Sequence, residues 1–158
     1  MDKYSLNPQE AYEEYKNLVY RLALARTGDI RDAEDILQEV FYKYIKRKPE
    51  LESAEHSKAW FIKVTINCTK SLFNTSNRKI NVPLEEELRT EDKELDTTLS
   101  VVLSLPQSYR TVIHLYYYED YSVKDIARLL KCSENTVKTR LARGRERLKK
   151  ALGSEIDV

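Results

Sequence analysis

Each hydrophobic segment of this chain repeats its apolar residues at intervals of three to four, a period that suits a helix face and excludes a half-buried strand. In 11–26 the stripe is Tyr12, Tyr15, Val19 and Leu22, widened by Leu18 and Ala25. Gly28 stands where that helix would stop, and Asp29 or Asp32 where the next would be capped. In 32–47 the inward set is Ala33, Ile36, Leu37, Val40, Phe41, Tyr44 and Ile45. Asp32, Asp35, Gln38 and Glu39 remain on the other side, and Pro49 closes the segment. Ser57 is placed to cap a third helix over about 58–74, apolar over most of its girth. One polar stripe interrupts it: Lys63, Asn67, Lys70 and Asn74. Trp60 lies at the edge of that helix and reads as core.

The period then disappears. Residues 75–97 hold Pro83 and an acidic tract, the composition of a tether. Beyond it, Pro106 opens a helix over about 107–118 that buries Val112, Ile113, Leu115 and Tyr116, and Glu119-Asp120-Tyr121 breaks it. Ser122 caps a short helix inward on Val123, Ile126, Ala127 and Leu130. A turn at Lys131-Cys132 leads to Ser133, the cap of a last helix over 134–152 that packs on Val137, Leu141, Leu148 and Leu152. The expected fold is all-α. Two small helical domains, 1–75 and 98–158, are joined by an acidic flexible linker, 76–97, and the second is a helix-turn-helix.

With only 3 Gly and 4 Pro in 158 residues, a turn-rich β-sandwich or barrel is excluded. No apolar run approaches the roughly 18–20 residues that span a bilayer, and Met1-Asp2-Lys3-Tyr4-Ser5 lacks a signal-peptide layout. Cys68 and Cys132 are far apart and outside any Cys/His cluster, so they read as small packing residues in a reducing cytoplasm. His114 reads as structural.

Charge is sorted along the chain although the net is only +1. Residues 29–39 carry five acids against one base, and 57–79 carry five bases and no acid. Residues 84–96 carry seven acids against two bases, and 122–152 carry ten bases against three acids. Two basic blocks suit polyanions and the acidic ones suit another partner, while solvated helix faces would account for the same charges. The short helix, tight turn and basic helix have the spacing of a DNA-reading helix-turn-helix. Ala127 is small where the helices must cross, and Val137 and Leu141 lock the second against the first. Asn135, Thr136, Lys138, Thr139, Ala142 and Arg143 then project toward a major groove, where short polar groups meet base edges. Arg140, Arg145, Arg147, Lys149 and Lys150 would neutralise phosphates. Lys131 occupies a turn position that glycine would ease, at a cost of about 1 kcal/mol.

The sequence resembles an extracytoplasmic-function (ECF, group 4) sigma factor of the sigma-70 family. The run from Asp32 to Phe41 looks like that family's core-polymerase-binding helix, and Ala59-Trp60-Phe61-Ile62-Lys63-Val64-Thr65-Ile66-Asn67 is similar to its "-10" helix. Leu105-Pro106, Tyr109-Arg110, Ile126-Ala127 and the run from Thr136 to Arg145 are similar to its "-35"-reading domain. Lys131 and Asn135 stand where the family usually has glycine, Lys63 where it has arginine and Thr65 where it has alanine.

The resemblance implies a promoter-specificity subunit without a catalytic centre, cofactor, metal or small-molecule substrate. Its partners would be core RNA polymerase (the beta and beta-prime subunits), promoter DNA and an anti-sigma factor, often membrane-tethered. Asp32, Asp35, Gln38 and Glu39 would meet the polymerase. Lys63, Asn67, Lys70 and Asn74 would follow opening "-10" DNA, and His56 and Ser57 fall in a loop that resembles the family's base-capturing loop. Asn135, Thr136, Lys138, Thr139, Arg140, Ala142, Arg143 and Arg147 would contact the "-35" element. A linker of about 20 residues, extended at about 3.3 Å each, reaches roughly 65 Å, enough to hold two domains on separate elements. Two other readings compete: a stand-alone helix-turn-helix regulator, which would not need the 32–41 and 59–67 motifs, and a small helical enzyme, which lacks a nucleophile–base pair.

Overall fold

The computed structural model of the chain describes residues 6–75 and 100–153, with side chains in the first stretch through residue 72. The chain divides into two compact units, Met1–Lys79 and Ile80–Val158. Among the described residues all regular structure is helical. The expected linker at 76–97 lies outside the described residues, as does the side chain of Asn74.

In the first unit, α1 (Pro8–Thr27) begins earlier than the apolar stripe suggests. Asn7 and Glu10 form a reciprocal capping box: Asn7 Oδ1 accepts from the Glu10 N–H at 2.9 Å and Glu10 Oε1 from the Asn7 N–H at 3.1 Å. Pro8 follows the cap, where its missing N–H costs nothing. Gly28, at φ 69°, takes the left-handed conformation that ends α1, and Asp29 rather than Asp32 caps α2 (Ile30–Arg47). Lys48, also left-handed, ends α2 just before Pro49. α3 (Ala54–Thr75) starts a turn before the expected position, because Ser53 Oγ accepts from the His56 N–H and does the capping expected of Ser57. Ser57 itself is buried, and its hydroxyl has no hydrogen-bond partner.

α1 packs against both α2 and α3, and Phe61 sits fully buried among the three. Its ring stacks on Tyr15 and Tyr44, tilts against Phe41 and meets Trp60 edge-on, with centroids 4.5–5.3 Å away. Replacing such a side chain with alanine costs about 3–5 kcal/mol. Tyr12 and Ile45, expected inward, are 40% and 50% exposed. At 3.6 residues per turn Ile45 lies roughly 120° around α2 from Ala33, beyond the strip that α1 and α3 cover.

In the second unit, residues 100–103 are helical and lead through Leu105-Pro106 into α4 (Gln107–Ile113). Arg110 is buried and staples this entrance, its Nη1 donating to the Leu103 and Leu105 carbonyls at 2.9 and 3.1 Å. Burial pulls the guanidinium down to about 10. The expected helix over 107–118 changes pitch midway: His114–Tyr118 form a π-helical turn. That wider turn swings Tyr117 and Tyr118 to the surface and is closed by His114, whose Nε2 lies 3.2 Å from Glu119 Oε2 while its ring stacks on Tyr118. His114 is structural, as expected.

Ser122 caps α5 (Val123–Leu130), and Lys131 takes the left-handed turn conformation, φ 56°. Ser133 caps α6 (Glu134–Leu152). Ile126, Ala127 and Leu129 pack inward with Val137, Leu141 and Leu148, whereas Val123, Leu130 and Leu152 are only half-buried. Gly144 is buried where α6 crosses α4: a Cβ there would stand 2.5 Å from Ile113 Cδ1.

Candidate nucleic-acid interfaces

Along α3, every residue from Phe61 to Thr69 is buried except Lys63 and Asn67, and Lys70 continues their line in the open. The neighbouring hydroxyls are used inside the fold. Thr65 donates to the Phe61 carbonyl at 2.7 Å and Thr69 to the Ile66 carbonyl at 2.7 Å, while Arg26 Nε donates to Thr69 Oγ1 at 2.6 Å. The polar stripe is therefore free of the core and presents two ammonium groups with an amide between them, a set that can follow a phosphate backbone and hydrogen-bond a base edge.

In the loop before α3, His56 is exposed and its Nδ1 accepts from the Glu52 N–H at 3.2 Å, which ties the loop to the helix start. Ser57 departs from expectation. At 1% exposure its side chain is closed off from any ligand at the surface. The position falls on the inner face because α3 begins at Ala54, which carries residue 57 round toward the core.

On α2, Asp35, Gln38 and Glu39 are exposed, but Asp32 is 6% exposed and does not join them. It sits in the first turn of α2, next to the buried end of α1 that carries Arg26 and Thr27. Glu39 pairs with Lys43 at 3.2 Å, and the Lys43 ammonium lies 3.5 Å from Cys68 Sγ. Burial first, and the neighbouring Glu39 second, push the Cys68 thiol up to about 11, and its side chain is buried in the core. Sequence reasoning missed Tyr42 and Ile45, which are 58% and 50% exposed on the same outer side of α2 as Asp35 and Gln38. The signal was present in their spacing, since Asp35, Gln38, Tyr42 and Ile45 follow i, i+3, i+7, i+10.

On α6, Asn135, Lys138, Thr139, Ala142, Arg143 and Arg147 are exposed, and Thr136 and Arg140 are half-buried. Thr136 Oγ1 lies 2.9 Å from Ser133 Oγ, which orients its hydroxyl at the helix start. Asn135, Thr136, Thr139, Arg140 and Arg143 line a shallow open depression of about 330 Å³, together with Tyr109 from α4. In the sequence Tyr109 belongs only to the Tyr109-Arg110 motif, since nothing local shows that its ring reaches α6. Arg147 stands over that ring, 5.4 Å from its centroid. Arg145, expected on phosphates, is held elsewhere: its Nε donates to Tyr117 Oη at 2.6 Å and its guanidinium lies 5.6 Å from the Tyr116 and Tyr117 rings. The π-turn brings those tyrosines to it.

Known proteins bear on both units. Residues 11–79 match the family described as sigma-70 region 2, and residues 96–148 match sigma-70, region 4. The chain is 35% identical over 136 residues to RNA polymerase sigma factor SigV of Bacillus subtilis, covering 82% of this chain and 81% of that one. It is 30% identical over 160 residues to ECF RNA polymerase sigma factor SigW of the same organism, covering 87% of this chain and 84% of that one. The fold is shared with sigma factor RpoE of Bartonella quintana, solved in complex with the anti-sigma factor NepR, at a TM-score of 0.71 and 19% identity over 94% of this chain and 98% of that one. With both regions matched in order and the curated relatives covered over most of their length, this chain belongs to the ECF sigma factors of the sigma-70 family.

Proposed function

We propose that the first unit docks on core RNA polymerase, at its beta and beta-prime subunits, through Asp35, Gln38 and Glu39, and follows the opening "-10" strand with Lys63, Asn67 and Lys70. The second unit reads the "-35" duplex with the exposed face of α6, through Asn135, Thr136, Lys138, Thr139, Arg140, Ala142, Arg143 and Arg147. The observation that carries this is the isolation of the α3 stripe: on a helix otherwise buried from Phe61 to Thr69, the only side chains offered outward are those suited to nucleic acid. The domains follow as 1–75 for polymerase and "-10" contact, 76–97 as linker and 98–158 for "-35" contact. The division of the chain between Lys79 and Ile80 supports that order. Control by an anti-sigma factor is part of the reading, supported by the Bartonella relative's complex with NepR. The site of action is the cytoplasm, where the polymerase works, and the protein contributes no catalytic group of its own.

The test is run-off transcription with purified core polymerase on a promoter library, with start sites sequenced. In parallel, Asp35→Ala combined with Gln38→Ala should weaken core binding by about 1.5–3 kcal/mol, tenfold or more, through lost charge-assisted hydrogen bonds. Unaltered core affinity in the double variant would remove α2 from the interface. Tight duplex binding by the chain alone, with no transcription from core, would favour a stand-alone regulator.

A further inference from the structure

The depression beside α6 has a feature that the helix-turn-helix pattern does not provide. Thr136, Arg140, Arg143 and Arg147 follow i, i+4, i+7, i+11 along one side of α6, and the Tyr109 ring from α4 lies against that side. Arg140 and Arg143 line the depression with it, and the Arg147 guanidinium sits 5.4 Å from its centroid. The lining contains no carboxylate. Tyr109 is seated closely, because α6 carries Gly144 at the crossing: a Cβ at Gly144 would lie 3.5 Å from Tyr109 Cβ.

Left to itself, an exposed arginine samples many rotamers, and ordering it on binding costs free energy. A guanidinium over an aromatic face is already ordered, and the ring leaves its N–H edge open to an anion. We infer that Tyr109 is a positioning residue of the "-35" interface: its ring holds Arg147 beside Arg140 and Arg143, forming a cradle for backbone phosphates of duplex DNA. This rests on the proposal that α6 reads the "-35" element. Duplex phosphate is the ligand the surroundings favour, since the cradle continues into Asn135, Thr136 and Thr139 on the same face.

The experiment uses holoenzyme reconstituted from core polymerase and the full chain, on a promoter recovered by start-site sequencing, over a series of salt concentrations. Tyr109→Phe keeps the ring and should bind as the native protein does. Tyr109→Leu should weaken binding about two- to fivefold, the range of an exposed cation–π contact, and lower the salt slope by about one. Combining it with Arg147→Ala should be no worse than Arg147→Ala alone. Tyr109→Met, which fills similar space without an aromatic face, replaces the leucine variant if the latter melts early. Additive losses in the double variant, or native binding by the leucine and methionine variants while Arg143→Ala is impaired, would overturn the role of Tyr109 and leave the "-35" assignment standing. Native binding by Arg143→Ala and Arg147→Ala together would overturn both. Weaker binding to polyglutamate with promoter binding unchanged would assign the ring to an acidic protein partner, against the inference.

Discussion

Gly144 offers a quantitative test of how closely α4 and α6 approach. In a helix interior, Gly→Ala ordinarily stabilises by about 0.8–1 kcal/mol through backbone entropy. Here the added methyl would lie 2.5 Å from Ile113 Cδ1 and 3.3 Å from Ile113 Cγ1. Ile113 is buried, and a β-branched side chain in a helix keeps about 90% of its population in one χ1 rotamer. Relief therefore falls on χ2, which can move Cδ1 but leaves Cγ1 tight. Overpacking of this kind costs about 1–3 kcal/mol, so the sum with the propensity gain is a net loss of about 1 kcal/mol. In a unit of this size that lowers the melting temperature by about 4–8 °C. Far-UV circular dichroism measures the melt, and Trp60, the single tryptophan, reports separately on the first unit, which should not change. Ile113→Val removes Cδ1 and alone costs about 0.5–1.5 kcal/mol. In the Gly144→Ala background it should cost less, with a coupling of at least about 0.5 kcal/mol. A Gly144→Ala protein that gains about 1 kcal/mol, additively with Ile113→Val, would refute the steric reasoning.

Two further outcomes follow from buried polar groups. The Cys68 thiol is raised from 9.0 to about 11 in the fold, so between those values the unfolded chain has lost its proton while the folded one keeps it. Stability from this group is complete below pH 9 and is lost as pH rises to about 11, a difference of about 2–3 kcal/mol. Urea unfolding followed by Trp60 fluorescence should show that decline, and Cys68→Ala should flatten it; an equal slope in both proteins would rule it out. Arg110→Met leaves the Leu103 and Leu105 carbonyls without this donor and should cost about 2–6 kcal/mol, at about 1–3 for each of the two buried orphans. Arg110→Lys should restore the loss only in part, because both bonds come from the terminal Nη1 and the lysine side chain is shorter; hydrogen exchange across 100–105 would report either result.

Much of this protein was legible because helix ends are local. Gly28, Asp29, Ser122 and Ser133 act within a turn of themselves, and the structure finds each in the expected role. The exposed stripe of Lys63, Asn67 and Lys70 was equally readable, because helical period alone separates it from its apolar neighbours. The start of α3 was missed since Ser53 and Ser57 are equivalent caps until the helix is seen to begin at Ala54. Fate at the margins depended on what packs there: Asp32 and Ser57 turned inward, while Tyr42 and Ile45 were left outside.

The order of residues alone determined an all-helical chain in two parts, with a helix-turn-helix and its basic face, since periodicity, caps and charge act over a few residues. Tertiary structure alone decided that Arg145 is held by Tyr117, that a π-turn divides the helix after Ile113, and that Tyr109 lies under Arg147. Those pairings join side chains 28 and 38 positions apart, Tyr117 with Arg145 and Tyr109 with Arg147. Only the packing of α4 and its π-turn against α6 brings such distant groups within reach, and no local pattern encodes that approach.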